Sequence, residues 1–494
     1  MIKIFLILLI FSFTTYSQSL QTPLEKNNYQ SLTTYKELTS FLDELNKNAL
    51  LKSEIIGTSV DGRNLYVVKV STGEFGSDNS KIKVLIFAQQ HGDEQSGKEG
   101  SLLLLKEIAE GKLDYLFEKI DLLLVPQMNP DGSEKDKRRN ANDADLNRNH
   151  LILTQPETIA LHKLFDQYLP EASMDVHEYS PYSEEWEKFG YLKNFDEQVG
   201  TTTNLNVSEK IRKFSNEEYL PFIKSFFEEK NFTFHNYIPG GPPEVELIRF
   251  STYDVNDGRQ SFGAMNTFSF IQEGKNGKDS LDNIKKRAEG QATGMKGFLE
   301  FIYSNKDKIK SLVVEERNKL INGKADNKVA LQMDHISNGE KLNLSLLSMK
   351  TNTDTIITVN DFRPVVKSLY DVERPKGYLI PKNLPELYDW AIRQNLFISE
   401  YENMPDQKIE EYFITEIDSI NFEGDIVVNP KVELKEIKNK INEQDYYFIP
   451  TKQLKSNLIV IALEPKSMLG LVTYKNFEHL LKRREYFPIL RVEN

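Results

Sequence analysis

Cysteine is absent from this chain, which excludes disulfides, a thiol nucleophile, thiolate metal ligands and a cysteine-borne lipid anchor. Histidine is scarce. Seven residues, His91, His150, His162, His177, His235, His335 and His479, supply every imidazole, so a metal site must draw on them and on Asp or Glu. Positive charge is in deficit as well. The formal net charge is −12, and nucleic-acid binding, which rests on clustered Lys and Arg neutralising phosphates, is not expected. Past the N-terminus no segment approaches the ~18 consecutive apolar residues of a spanning helix. Internal repeats and low-complexity tracts are missing too.

What is present reads as a globular protein of ordinary composition, 39% apolar and 28% charged. Its 494 residues exceed what one core usually holds, so two domains are expected. Residues 1–17 open with Met1-Ile-Lys-Ile-Phe-Leu-Ile-Leu-Leu-Ile, one early lysine before a short apolar run. That pattern predicts a signal peptide, hence a secreted or periplasmic protein with no membrane span after its removal.

The stretch Val84-Leu-Ile-Phe-Ala-Gln-Gln-His-Gly-Asp-Glu94 joins a non-alternating apolar run to a turn carrying His91 and Glu94, and a helix follows. A strand buried on both faces is expected. A neutral imidazole and an ionised carboxylate suit zinc, whose catalytic sites take three protein ligands and keep a fourth position open. Further strands are expected over Asp121–Val125, Ala172–Val176 and Asn266–Gln272. They lead into Asn129-Pro-Asp-Gly132, into His177-Glu178 and into Glu273-Gly-Lys275. In open α/β sheets the ligand crevice lies at the carboxyl ends of the strands, so these polar endings should face one cleft. A helical segment from about Ser280 to Tyr303 closes residues 18–304. A charged linker helix, 305–325, then leads to a β-rich accessory domain, 326–494. Its strands include Lys341–Leu347, Thr355–Val359 and Leu458–Leu463, with a helix near Leu384–Asn395.

From about Tyr35 to Tyr303 these motifs resemble, in kind and order, the zinc metallocarboxypeptidase family. The resemblance implies a mixed, largely parallel central sheet flanked by helices, and one zinc ion held by His91, Glu94 and His177. It implies Glu273 as general base and acid, with Glu178 in a supporting position and His150 and His162 as ordinary core histidines. Asn147 and Arg148 would clamp the free C-terminal carboxylate of a peptide substrate, a task that suits the planar guanidinium. Arg139, with Arg138 as substitute, would stabilise the oxyanion. Tyr253 would cap the substrate, and the specificity pocket would lie near Asp254, Asp257 and Arg259, two acids and one base that leave its preference open. The expected activity is hydrolysis of C-terminal peptide bonds by an exported enzyme. The alternatives are a zinc deacylase of N-acyl amino acids or wall-peptide amidase, and a non-catalytic binding protein.

Overall fold

Strand β3, Ile82–Ala88, explains why the opening apolar run does not alternate: both of its faces are covered. In the computed structural model, which describes residues 20–403, 407–422 and 425–493, Val84, Ile86 and Ala88 join one apolar cluster with Leu102, Leu105, Met295 and Phe298. Leu85 and Phe87 join another with Leu161, Phe165, Trp390 and Ile459. Successive side chains of a strand point to opposite faces, so an unbroken apolar strand needs a layer on each side. The signal peptide expected over residues 1–17 lies outside the described residues.

β3 belongs to an eight-stranded sheet with β1 (Leu51–Thr58), β2 (Asn64–Val70), β4 (Ile120–Val125), β5 (Ala172–Tyr179), β6 (Glu197–Thr201), β7 (Phe234–Asn236) and β8 (Phe268–Lys275). Their order is β1-β2-β4-β3-β5-β8-β6-β7. The four central strands, β4, β3, β5 and β8, are parallel, and β1–β2, β2–β4 and β6–β8 pair antiparallel. The mixed, largely parallel sheet expected from the sequence is therefore present. All four central strands point their carboxyl ends to one edge.

Helix α1 (Gln95–Ala109) and helix α3 (Ile284–Ile321) cover one face, and helix α2 (Pro156–Tyr168) lies on the other. α3 runs through the segment expected as a separate linker helix, with non-helical dihedrals only at Asn305. The Asn305 amide donates to the Phe301 carbonyl, a side-chain competitor of the kind that bends helices. Beyond the kink Ile309, Val313 and Leu320 remain buried, so this half of α3 is part of the core.

Residues from 326 onward form a six-stranded sheet and smaller ones, together with helices α4 (Pro385–Arg393) and α5 (Ser456–Leu463). The extra strand-rich sheets agree with expectation, but Leu458–Leu463 is helical where a strand was expected. Every residue of α5 is buried, and a short run buried all round carries no periodicity to tell helix from strand. One apolar cluster, around Leu379, Ile409 and Val492, is this region's own, but most of its buried side chains are shared with the rest of the chain. Its Trp390, Leu458, Ile459 and Ile461 share one cluster with Leu85, Phe87, Leu123 and Val125 of the central sheet. A three-stranded sheet also crosses between the two parts, pairing Leu342–Ser348 with the short strand Tyr191–Lys193.

Candidate metal centre and active site

The metal turn is fixed before any metal is considered. Leaving β3, the chain passes through Gln89 at a positive φ of 59°. Its buried amide donates to the Gly92 carbonyl at 3.1 Å, to Gln95 Oε1 at 2.9 Å and to Ser133 Oγ at 2.9 Å. Gly92 is required by close approach, since a Cβ there would lie 2.2 Å from the Gly132 backbone. Asn129 staples the same place by donating to the Gln90 and Arg138 carbonyls and accepting from Gly132 N. The Asn129-Pro-Asp-Gly132 signature thus ties the metal turn to the basic segment that follows.

His91, Glu94 and His177 are all buried. One ligand atom from each can be chosen so that all lie within 4.8 Å of one another. His177 Nδ1 is 2.9 Å from Glu94 Oε2 and 3.2 Å from His91 Nδ1, and His91 Nδ1 is 2.7 Å from Glu94 Oε1. Each imidazole has its other nitrogen on a carboxylate: His91 Nε2 is 3.1 Å from Asp145 and His177 Nε2 is 2.8 Å from Asp175. That arrangement fixes the tautomer with Nδ1 free as a donor atom, the usual support of metal-bound histidines. Burial disfavours charge on both rings, yet Glu94 beside His91, and Asp175 and Glu94 beside His177, outweigh it and raise both pKa values. Against the same burial, the two imidazoles hold Glu94 below the usual carboxylate range. Two imidazole nitrogens facing one carboxylate in a pocket that favours positive charge fit a zinc ion.

Glu94 and Glu178 brace one another across the sheet edge. Glu178 N–H donates to Glu94 Oε2 and Ser96 N–H donates to Glu178 Oε2, each at 3.0 Å. Arg287 of α3 grips both oxygens of Glu178 at 2.9 and 3.0 Å. Glu273 stands directly opposite His177 in the β8–β5 register. Burial pushes its carboxyl up to about 7, with Glu94 and Asp175 adding and His177 and His91 opposing.

These side chains line a cleft of about 270 Å³ with Arg138, Asn147, Arg148, Tyr237, Asp257 and Arg259. Asn147 is held through its carbonyl oxygen by Gln90 and by Gly258 N–H. Arg148, beside it, resists deprotonation even more than usual. Burial works against its charge, but Asp254, Asp145 and Asp257 prevail. Asp257 is itself occupied, its Oδ2 lying 2.9 Å from Arg259.

Two expected residues fall elsewhere. Arg139 donates to the Asp143 carbonyl at the exposed loop surface and does not line the cleft. Its neighbour Arg138 does, 3.0 Å from Asp145 and 3.6 Å from Glu94. Tyr253 turns its ring onto His335 and Phe422 and donates its hydroxyl to the Met333 carbonyl at 2.8 Å, so it is committed to the core. The tyrosines that line the cleft are Tyr179 and Tyr237. Tyr237 stands two residues before Pro239-Gly-Gly-Pro-Pro243, a Pro/Gly cluster of the kind that marks a loop. His150 and His162 lie in the wall behind the cleft, His150 Nε2 at 2.8 Å from Gln90 and its Nδ1 at 3.0 Å from His162.

A buried His-Glu-His cluster at the carboxyl edge of a mostly parallel sheet, with a carboxylate and a guanidinium in the same cleft, defines a zinc-dependent peptidase. Residues 38–208 match the profile of the zinc carboxypeptidases, so the chain carries a domain of that family. Carboxypeptidase 2 of Trichophyton rubrum is 24% identical over 88% of this chain and 81% of its own. Carboxypeptidase SOL1 of Arabidopsis thaliana is 35% identical over 26% of this chain and 28% of its own. A metallo-carboxypeptidase structure from Burkholderia cenocepacia covers 56% of this chain and 71% of its own at 20% identity, with a TM-score of 0.44. No helix among the described residues is long and apolar enough to cross a membrane.

Proposed function

We propose that this carboxypeptidase is exported and removes single residues from the free C-terminus of peptides, with Glu273 moving the proton and Arg148 holding the terminal carboxylate. The observation that carries this reading is the meeting of Glu273 and Arg148 with the His91, Glu94 and His177 cluster in one cleft. Zinc bound there supplies a water of lowered pKa and polarises the scissile carbonyl. Glu273 takes the proton of the attacking water and hands it to the leaving amine, a task suited to a carboxyl lifted toward neutrality. Asn147 and Arg148 orient the substrate's terminal carboxylate.

Peptides with free and amidated C-termini, assayed beside N-acyl amino acids, test the reading. Hydrolysis is expected only at the free ends. Turnover of N-acyl amino acids alone would replace it with the deacylase reading.

In this scheme Arg138 takes the oxyanion role foreseen for Arg139, because of these two neighbours it is the one that lines the cleft. Arg138→Gln should lower kcat/KM by about 10²-fold, the usual cost of one oxyanion donor, while Arg139→Gln stays within about threefold. Steady-state kinetics on a single peptide decides between them. Equal losses for both variants would remove the distinction.

A further inference from the structure

We propose that Lys193 makes this enzyme selective for substrates whose C-terminal residue carries an anionic side chain. The inference rests on the carboxypeptidase reading above and adds the substrate class. Once the cations of the cleft are assigned, one remains without an anion. Arg138 is paired with Asp145, Arg259 with Asp257, and Arg148 is the clamp for the terminal α-carboxylate. Lys193 also lines the cleft. Its ammonium donates to the Ile238 carbonyl at 2.8 Å and lies over the Trp186 ring at 5.3 Å, and among the described residues no carboxylate pairs with it.

The wall it belongs to is shaped for a side chain. Ile271 precedes Glu273 by two positions on β8 and so faces the same side of the sheet, and Gln198 stands opposite Glu273 in the β8–β6 register. Beside them Gly200 lets the neighbouring groups of this wall pack closely. A Cβ there would lie 2.8 Å from Arg259 Nη1, 2.9 Å from Ile271 and 3.0 Å from Tyr237. A terminal residue anchored by Arg148, with its scissile bond beside Glu273, would lay its side chain along this wall, which Lys193 lines with Gln198 and Ile271. A carboxylate on that side chain completes the unpaired lysine. An ammonium would be repelled by it, and an aliphatic chain would leave it unsatisfied.

The lysine is also held in place from outside the sheet that carries the metal. Its strand, Tyr191–Lys193, is the edge of a sheet whose other members are Leu342–Ser348 and Thr353–Val359, with Lys193 opposite Leu346. Burial pulls the ammonium down to about 8, opposed by Glu246 and Glu273 and assisted by Arg249, so near neutral pH the charged form persists, and an arriving carboxylate strengthens it.

The test uses the full-length zinc enzyme and blocked dipeptides that differ only at the last residue: Glu, Gln, Leu or Lys. The wild type is expected to favour Glu over Gln by tenfold or more in kcat/KM, about 1.4 kcal/mol. In Lys193→Met that ratio should fall toward one, in Lys193→Arg it should persist in part, and in Lys193→Glu the preference should shift toward the Lys-terminated peptide. A wild-type preference for Leu or Lys, an anion preference at the penultimate position instead, or an unchanged Glu-to-Gln ratio in Lys193→Met would each overturn the proposal. Failure to cleave any of the four peptides would instead refute the carboxypeptidase reading on which it stands.

Discussion

Glu273→Gln should lower kcat by about 10³-fold, within the range that general acid–base catalysis contributes, while the variant still binds one zinc per chain. The substitution preserves shape and removes only the capacity to accept and return a proton. Glu273 is suited to this separation. It is 7% exposed, yet among the described residues no protein group donates to its carboxylate. Glu94, Glu178 and Glu197, by contrast, are all held by donors. None of the three metal ligands leans on it for a hydrogen bond, so their geometry should survive. KM should change little, because a group that acts in the transition state leaves ground-state binding nearly intact. Glu178→Gln is the informative contrast. Its carboxylate is taken by Arg287 and Ser96, so its loss should appear as reduced stability with a far smaller fall in kcat. Metal analysis and single-turnover kinetics decide the matter. Residual activity of Glu273→Gln within about tenfold of wild type would remove Glu273 from the chemistry.

The grouping of these side chains was legible where it depends on short-range sequence. His91 and Glu94 share one turn, and His177 and Glu273 end neighbouring parallel strands, so strand order alone places them at one edge of the sheet. What was not legible depended on side-chain direction or on contacts remote in sequence. Arg138 and Arg139 are adjacent, and composition cannot say which of two consecutive side chains turns inward. The packing of Asn129 against the Arg138 carbonyl helps set that. Tyr253 sat at a plausible distance from Glu273 along the chain. Its hydroxyl found a buried carbonyl on a strand from the far part of the sequence, Met333, and no local signal announces that partner. The eight residues of α5 look the same as a buried strand because all of them are covered. Residues 326–494 show what a change of composition can and cannot indicate. Their strand-rich character was legible, whereas the sharing of an apolar cluster with the central sheet was not, because it joins residues remote in sequence.

Ending the chain at residue 325 should therefore abolish the folded enzyme instead of yielding a smaller active one. One whole face of the central sheet depends on the missing part. Leu85 and Phe87 of β3, Leu123 and Val125 of β4 and Phe165 of α2 share their cluster with Trp390, Leu458, Ile459 and Ile461. Truncation of a single buried tryptophan costs about 3–5 kcal/mol, against a total stability of about 5–15 kcal/mol, so loss of the whole set leaves no margin. Polar groups would be abandoned as well. Trp390 Nε1 donates to the Leu151 carbonyl at 2.9 Å, and the Gln394 amide donates to the His150 and Leu151 carbonyls at 3.1 and 2.6 Å. Lys455 reaches Asp166 of α2 at 2.8 Å. The carbonyls at His150 and Leu151 lie two and three residues beyond Arg148, so the late part of the chain buttresses the loop assigned to grip the substrate. A graded version of the experiment isolates this support in the intact chain. Gln394→Leu keeps the volume and deletes the donors, and with a net worth of about 0.5–1.5 kcal/mol per hydrogen bond it should raise KM several-fold while zinc content is unchanged. Sedimentation and near-UV circular dichroism of the 1–325 fragment settle the larger claim. A soluble, cooperatively folding fragment that binds zinc and cleaves peptides would show that the shared core is dispensable.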